Sequence, residues 1–128
     1  MQSEEEKLWD TISKFIRLRD SDENGIVQCV TCPSRFHWKL VHAGHFIGRR
    51  QKNTKFNERN LAGQCVSCNS FHGGRQFEFG LAIDKRYGEG TAEELLALSK
   101  VTCKLSGYEY REMNNEYKVK VKQLLKRL

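Results

Sequence analysis

Apolar residues recur at helical spacing near the start of the chain, at Leu8, Ile12, Phe15 and Ile16. This period predicts an amphipathic helix over about residues 3–19. The polar and acidic segment at residues 20–25 is expected to end that helix. The first predicted element is therefore a helix that buries one face.

The apolar positions lose the helical period in the middle of the chain. Ile26 to Cys29 predicts a short strand, and Leu40 to Phe46 predicts another. Gly48 to Asn57 is polar and basic, which is typical of a loop. A third extended segment is expected at residues 60–61, followed by a helix that starts near residue 68.

Helical patterns return in the last third of the chain. A helix is predicted from Gln76 to Tyr87, and a shorter one over residues 92–100 with Thr91 and Glu94 as its capping box. The last helix carries one apolar stripe, made of Met113, Tyr117, Val121, Leu124, Leu125 and Leu128.

A chain of 128 residues is most simply one domain. We expect an α+β domain with an N-terminal helix (residues 1–24), a core (25–75) and C-terminal helices (76–128). No apolar run approaches the roughly 20 residues of a membrane span, and the acidic first residues do not resemble a secretory signal. These features predict a cytoplasmic protein with no membrane partner.

Two Cys-x-x-Cys pairs give the strongest chemical signal: Cys29 with Cys32, and Cys65 with Cys68. A pair on a tight turn directs two sulfurs at one point, so the four residues are predicted to hold a structural Zn²⁺. A reducing cytoplasm also favours metal binding over disulfides. Cys103 falls outside this pattern and is expected to be a small, buried or half-buried thiol.

The formal net charge of +6 favours a polyanionic partner, because Lys and Arg side chains release counterions from a phosphate backbone. Five basic residues lie between the two cysteine pairs, at Arg49, Arg50, Lys52, Lys55 and Arg59. We predict that they contact DNA phosphates, with a merely solvated loop as the alternative. The basic tract near the C-terminus is more simply the exposed side of the last helix.

A four-thiolate site does not use the polar residues between and after the cysteine pairs, which indicates a second site. His45 is a candidate general base because imidazole titrates near neutral pH. Asn60 is expected to accept a hydrogen bond from the other ring nitrogen and fix the tautomer. Asn69 and His72 lie about one helical turn apart and are candidate ligands of a divalent ion. Such a set fits phosphodiester hydrolysis, and ordinary structural hydrogen bonding is the alternative.

These residues also resemble a known family. His45-Phe-Ile-Gly-Arg, Asn60-Leu and Cys65-x-x-Cys-Asn69 resemble the HNH endonuclease motif in its four-cysteine, zinc-stabilised form. Cys29-Val-Thr-Cys, His42-Ala-Gly-His-Phe-Ile and Tyr87-Gly-Glu-Gly-Thr make the chain similar to the phage NinG (Rap) recombination nucleases. The similarity runs from about residue 8 to the end of the chain.

The resemblance implies an HNH-like ββα-metal core, stabilised by zinc, in a nuclease that acts on branched recombination DNA such as D-loops and Holliday junctions. It implies that His45 is the general base, that Asn60 orients it, that Asn69 holds a catalytic Mg²⁺ or Mn²⁺, and that the four cysteines hold zinc. If the chain is phage-encoded, the protein acts in the cytoplasm of a bacterial host.

The chain departs from the HNH pattern at one position. HNH enzymes commonly carry a metal ligand directly before the base, where this chain has Gly44. Alternate residues of an extended segment share a face, so His42 is predicted to replace that ligand. The predicted catalytic metal set is therefore His42, Asn69 and His72, and its imidazoles also suit a transition ion such as Mn²⁺.

Two other functions remain open for this sequence. One is a non-catalytic zinc-ribbon module that binds DNA, and the other is a zinc module for protein interaction that dimerises through the last helix. A homodimer through the apolar stripe of that helix is also a hypothesis for the nuclease, because a junction has two strands to cut.

Overall fold

The computed structural model describes all residues from Met1 to Leu128. It is a mixed α+β fold with two small antiparallel sheets. The helices are α1 (Glu4–Arg19), α2 (Lys52–Lys55), α3 (Gln76–Tyr87), α4 (Thr91–Ser99) and α5 (Gly107–Leu125). The strands are β1 (Ile26–Gln28), β2 (Arg35–His37), β3 (His42–His45) and β4 (Leu61–Gln64). None of the helices is both long and apolar enough to cross a membrane.

Helices α1 and α5 pack side by side and form the main core. The Ser3 side chain caps α1 by accepting from the Glu6 backbone N–H, and Ser106 begins α5 with a complete capping box. Phe15 of α1 meets Tyr117 of α5 edge to face, with ring centroids 5.1 Å apart. The apolar stripe of α5 is therefore used largely within the chain, although Leu125 and Leu128 at its end are exposed, and the homodimer stays a prediction.

The β3–β4 hairpin lies between two apolar cores. Its register pairs His42 with Gln64 and His45 with Leu61. Leu61 joins the core of α1 and α5, whereas Ala62 joins a second core with Phe79 of α3, because successive side chains of a strand point to opposite faces. The hairpin is thus held from both sides.

The order strand, basic loop, strand, helix was predicted for the middle of the chain, and the structure shows the two strands in this order with different bounds. The first of these strands is shorter than predicted, because residues 38–40 form a 3₁₀ turn. The connection includes the short helix α2, where a loop was predicted. After β4, residues 67–71 form a single π-helical turn in place of a longer helix.

One strand was missed, and one predicted cap was wrong. Strand β2, which pairs with β1, had no recognisable signal because Phe36 lies within a segment of mixed polarity. The capping box at Thr91 is absent: Gly90 occupies the cap position, and the Thr91 hydroxyl donates to the Gly88 carbonyl. The helix that follows is nevertheless present, and α3 has the predicted bounds.

Candidate metal centre and the adjoining cleft

The four cysteines that the sequence singled out converge on one point. Cys29 and Cys32 follow β1, Cys65 and Cys68 follow β4, and their sulfur atoms all lie within 4.8 Å of one another. The Cys32 and Cys65 sulfurs are 3.8 Å apart. A tetrahedral Zn²⁺ with bonds of about 2.3 Å requires sulfurs separated by about 3.8 Å. The donor set therefore fits a zinc ion.

Protein donors already surround these sulfurs. The Cys65 N–H donates to the Cys29 sulfur at 3.3 Å, and the Cys68 N–H donates to the Cys65 sulfur at 3.4 Å. The Nε of Arg75 donates to the Cys68 sulfur at 3.2 Å from a backbone with φ of 47°. A non-glycine residue in that region is strained, so the fold holds a cation beside sulfur at some cost.

Ionisation of the cluster is uneven. Burial raises the pKa of the Cys65 thiol to about 12. Burial also opposes ionisation of Cys32, but hydrogen bonds from Ser34, Cys29 and Cys68 lower its pKa to about 6. The Cys32 thiol thus ionises readily, whereas the nearby Cys65 thiol does not. A divalent cation would favour the thiolate at every position, since a coordinating thiol is deprotonated.

A polar cleft adjoins the cysteine cluster, between α1, β3 and the turn at residues 67–71. It consists of two connected cavities of about 510 Å³ and about 210 Å³, which share Trp9, Ala43, Arg49 and Asn69 as lining residues. His42 lines the larger cavity and His45 the smaller one. No acidic side chain lines either cavity. The cleft therefore presents imidazole, amide and cationic groups to whatever enters it.

His42 and Asn69 meet inside this cleft. The Asn69 Nδ2 donates to the His42 Nδ1 at 2.9 Å, so the ring nitrogen of β3 and the amide of the helical turn reach one point. The structure does not bring His72 to them. His72 is exposed, ends the turn and does not line the cleft. Its predicted role as a metal ligand stays a prediction without support from the geometry.

His45 is held as a neutral imidazole. Its Nε2 lies 3.1 Å from the Lys55 carbonyl oxygen, which only accepts, so the ring proton is on Nε2 and the lone pair is on Nδ1. The ring stacks on Trp9 with centroids 4.7 Å apart. Burial lowers the pKa of His45 to about 4; the hydrogen bond to the Lys55 carbonyl opposes this shift, and the nearby charges of Arg49 and Lys55 add to it. Near neutral pH, Nδ1 can accept a proton.

The contact predicted between Asn60 and His45 is absent, and that prediction was wrong in its geometry. Asn60 is fully buried and bonds only to backbone. Its Nδ2 donates to the carbonyls of Ile47 and Thr54, and its Oδ1 accepts from the Ile47 N–H at 2.7 Å. These bonds hold the segment from Ile47 to Thr54 in place. The next residue, Lys55, has the carbonyl that orients His45. Asn60 therefore does not contact the His45 ring, but it holds the segment that carries the Lys55 carbonyl.

Gly44 is explained by its neighbour across the hairpin. A Cβ at position 44 would lie 2.3 Å from the Oε1 of Gln64. Gln64 is fully buried, and its Nε2 donates to the Thr31 hydroxyl and the Gly74 carbonyl. No side chain fits at position 44 while Gln64 keeps this place.

The basic loop is largely neutralised by the protein itself. Lys52 and Lys55 both pair with Glu5 of α1, and Arg59 pairs with Glu94. Arg49 instead lies over the Trp9 ring, 5.7 Å from its centroid, and lines the cleft. Arg50 is exposed. Of the predicted DNA contacts, only Arg49 faces the candidate site.

The sequence analysis missed several residues of the cleft. Trp9, Ser13 and Arg17 form a stripe along α1 at intervals of four residues, and they line the larger cavity together with Lys39. The signal that could have found them is the polar side of α1, where a tryptophan and a cation share one face.

Comparison with known proteins gives consistent matches. The profile of the family described as Bacteriophage Lambda NinG protein matches residues 2–127. "Protein ninG" of Escherichia phage lambda is 30% identical over 87 residues, which cover 66% of this chain and 39% of that protein. "Protein ninG" of Salmonella phage P22 is 28% identical over 116 residues, covering 88% of this chain and 53% of that protein. The chain thus spans about half the length of these relatives or less. No solved structure matches it.

Proposed function

This chain belongs to the bacteriophage lambda NinG family, and on that premise we propose that it is a metal-dependent endonuclease that hydrolyses DNA phosphodiester bonds. The observation that carries the proposal is the cleft, which is lined by His45, whose Nδ1 is unprotonated, and by the touching side chains of His42 and Asn69. Strands β3 and β4 with the turn at residues 67–71 form the ββα-metal, HNH-like core of this proposal.

His45 acts as the general base. Its neutral ring offers a lone pair on Nδ1, while the Lys55 carbonyl and the Trp9 ring hold it in place. A water aligned with the scissile phosphorus would give its proton to Nδ1 as it attacks. Because no carboxylate lines the cleft, no negative charge there repels the phosphate.

His42 and Asn69 are the residues that would hold the divalent ion, through an imidazole nitrogen and the amide oxygen. The amide would turn to present its Oδ1 in place of the Nδ2 that now contacts His42. A bound Mg²⁺ or Mn²⁺ supplies positive charge for the phosphate and the leaving oxygen. The imidazole favours Mn²⁺ among these ions. Branched recombination DNA is the proposed substrate, by resemblance to the family.

A non-catalytic zinc module that binds DNA is the second candidate function. The four cysteines are the only group of three or more His, Cys, Asp and Glu side chains that converges on one point. The cleft thus lacks the carboxylate that commonly holds a catalytic metal. In this candidate, His45 and His42 only shape the groove.

Cleavage assays separate the two candidates. The protein is incubated with a four-way junction and with linear duplex in Mg²⁺ or Mn²⁺, beside a His45→Ala variant. We expect the variant to lose about 10²–10⁴-fold in cleavage rate while it still binds the junction. A His72→Ala variant tests the third predicted ligand, and cutting like the parent would remove His72 from the metal set. Cutting that survives His45→Ala removes His45 from the mechanism, and binding without cutting in either ion supports the second candidate.

A further inference from the structure

Three cations gather around one buried indole next to the cleft. The Nζ of Lys14, the Cζ of Arg17 and the Nζ of Lys39 lie 6.0, 5.4 and 5.7 Å from the centroid of the Trp38 ring. We call these three residues the Trp38 cation cluster. Trp38 is 6% exposed and belongs to the main apolar core.

None of these three cations forms an ion pair. The ion pairs of the protein involve other basic side chains. Three like charges around one ring repel one another, and a cation–π contact at a partly exposed site offsets only about 0.5–1 kcal/mol. The arrangement therefore favours an anion from outside the chain.

Arg17 in particular has no acidic partner within the chain. It is half-buried, and its hydrogen bonds go to the neutral carbonyls of Ser13 and Trp38. A guanidinium carries five N–H donors, so its fork retains donors for an outside acceptor. Burial without a counterion lowers the pKa of Arg17, which an incoming phosphate would reverse. Phosphate oxygens match this planar fork.

The cluster is continuous with the candidate active site. Arg17 and Lys39 line the same cavity as His42 and Asn69. The basic loop after β3 differs, because Lys52, Lys55 and Arg59 already have carboxylate partners. Unpaired positive charge thus extends from the cleft along α1, whereas in the loop only Arg49 and Arg50 lack a carboxylate partner.

We propose that the Trp38 cation cluster binds a backbone phosphate next to the scissile one, so that α1 forms one wall of the DNA-binding groove. This inference rests on the proposed nuclease function. The cut strand then runs along this face of α1.

The test is the salt dependence of DNA binding, measured by fluorescence anisotropy with a labelled four-way junction and no added divalent ion. Each phosphate contact contributes a slope of about 0.7–0.9 to log K against log salt. A Lys14→Gln/Lys39→Gln double variant that loses the contact to this one phosphate is therefore expected to reduce the magnitude of the slope by about 0.7–0.9. The matched control is Lys118→Gln/Lys122→Gln on α5, which removes the same charge from exposed, unpaired lysines. It should leave the slope nearly unchanged.

Equal slopes for the two double variants would overturn the proposal. Arg17→Gln is expected to weaken binding further than Arg17→Lys, which keeps the charge and removes the fork. Thermal unfolding of both variants shows whether the fold is intact, and if Arg17→Gln unfolds, the lysine variants decide. If the parent cuts no DNA but the slopes differ as expected, the nuclease function fails and the phosphate site stands. If the parent cuts DNA and the slopes are equal, the phosphate site fails alone.

Discussion

The cysteine cluster and the cleft both adjoin the β3–β4 hairpin, yet they are assembled differently. Each half of the cluster comes from two cysteines three residues apart on one turn, and only the meeting of the two turns is tertiary. The cleft takes Trp9 from α1, His42 from β3 and Asn69 from the turn after β4. The cluster is a local motif used twice, whereas the cleft exists only once the whole domain has packed.

This contrast gives the two regions different dependence on metal. The sulfurs are close enough that an ion is needed to balance their ionised forms. The ring of His45 is instead held by Trp9 and the Lys55 carbonyl, which are protein groups. Loss of zinc should therefore remove the fold, and the cleft with it, whereas changes in the cleft should leave the zinc site in place.

The largest effect is expected from Cys65→Ser. A structural zinc site supplies on the order of 10 kcal/mol of folding free energy, so the variant should lose zinc and most of its helical signal. Metal analysis and far-UV circular dichroism measure both. Cys103→Ser is the matched control, because Cys103 lies outside the cluster and is half-buried, and it should keep zinc and fold. A folded, metal-free Cys65→Ser protein would contradict the dependence stated above.

The same contrast explains which features the sequence could predict. The cysteine spacing predicted that the four sulfurs converge on one point, because a short motif needs only the local chain. The heptad-like spacing of Leu8, Ile12 and Phe15 likewise predicted α1. The partner of Asn60 was missed, because nothing in the spacing of two polar residues tells which backbone carbonyls will lie beside a buried amide. The role of Arg17 in the cleft was missed for the same reason. The spacing of α1 shows only which face is buried, and it does not show that the polar face lies next to β3.

The second prediction concerns the pH dependence of stability that results from the lowered pKa of His45. Its pKa in the fold is about 4, below the ordinary value of 6.5. Between those values the unfolded chain binds a proton that the folded chain does not, so stability falls as pH drops from about 6.5 to about 4. The full contribution is at most about 3 kcal/mol.

Urea unfolding at pH 7 and pH 5 measures this contribution in the parent and in His45→Phe, which keeps a ring against Trp9. The parent should lose more stability on acidification than His45→Phe, because the phenyl ring does not titrate. The exposed His72 provides the control, and His72→Gln should follow the parent. Equal losses in the parent and in His45→Phe would mean that burial does not lower the pKa of His45 in solution.

The smallest effect is expected at Gly44, where the two regions touch. Gln64 fills the space beside Gly44 and donates to the Thr31 hydroxyl, which itself lies 3.5 Å from the Cys29 sulfur. A methyl group at position 44 would displace the Gln64 amide and cost about 1–3 kcal/mol, as overpacking of a close-packed interior does. Because Gln64 also bonds the Gly74 carbonyl beside the cleft, Gly44→Ala should disturb both regions together.

A double-mutant cycle of Gly44→Ala with Gln64→Ala, followed by urea unfolding, isolates this contact. The double variant should be less destabilised than the sum of the single variants, because removing the Gln64 side chain makes room for the new methyl group. Gly48→Ala is the matched control, since a Cβ there meets no atom within 4 Å, and it should change stability little. If the losses of stability are additive, the effect of Gly44→Ala comes from the backbone and not from contact with Gln64. In that case Gln64 would not be the link through which the cleft depends on the cysteine cluster.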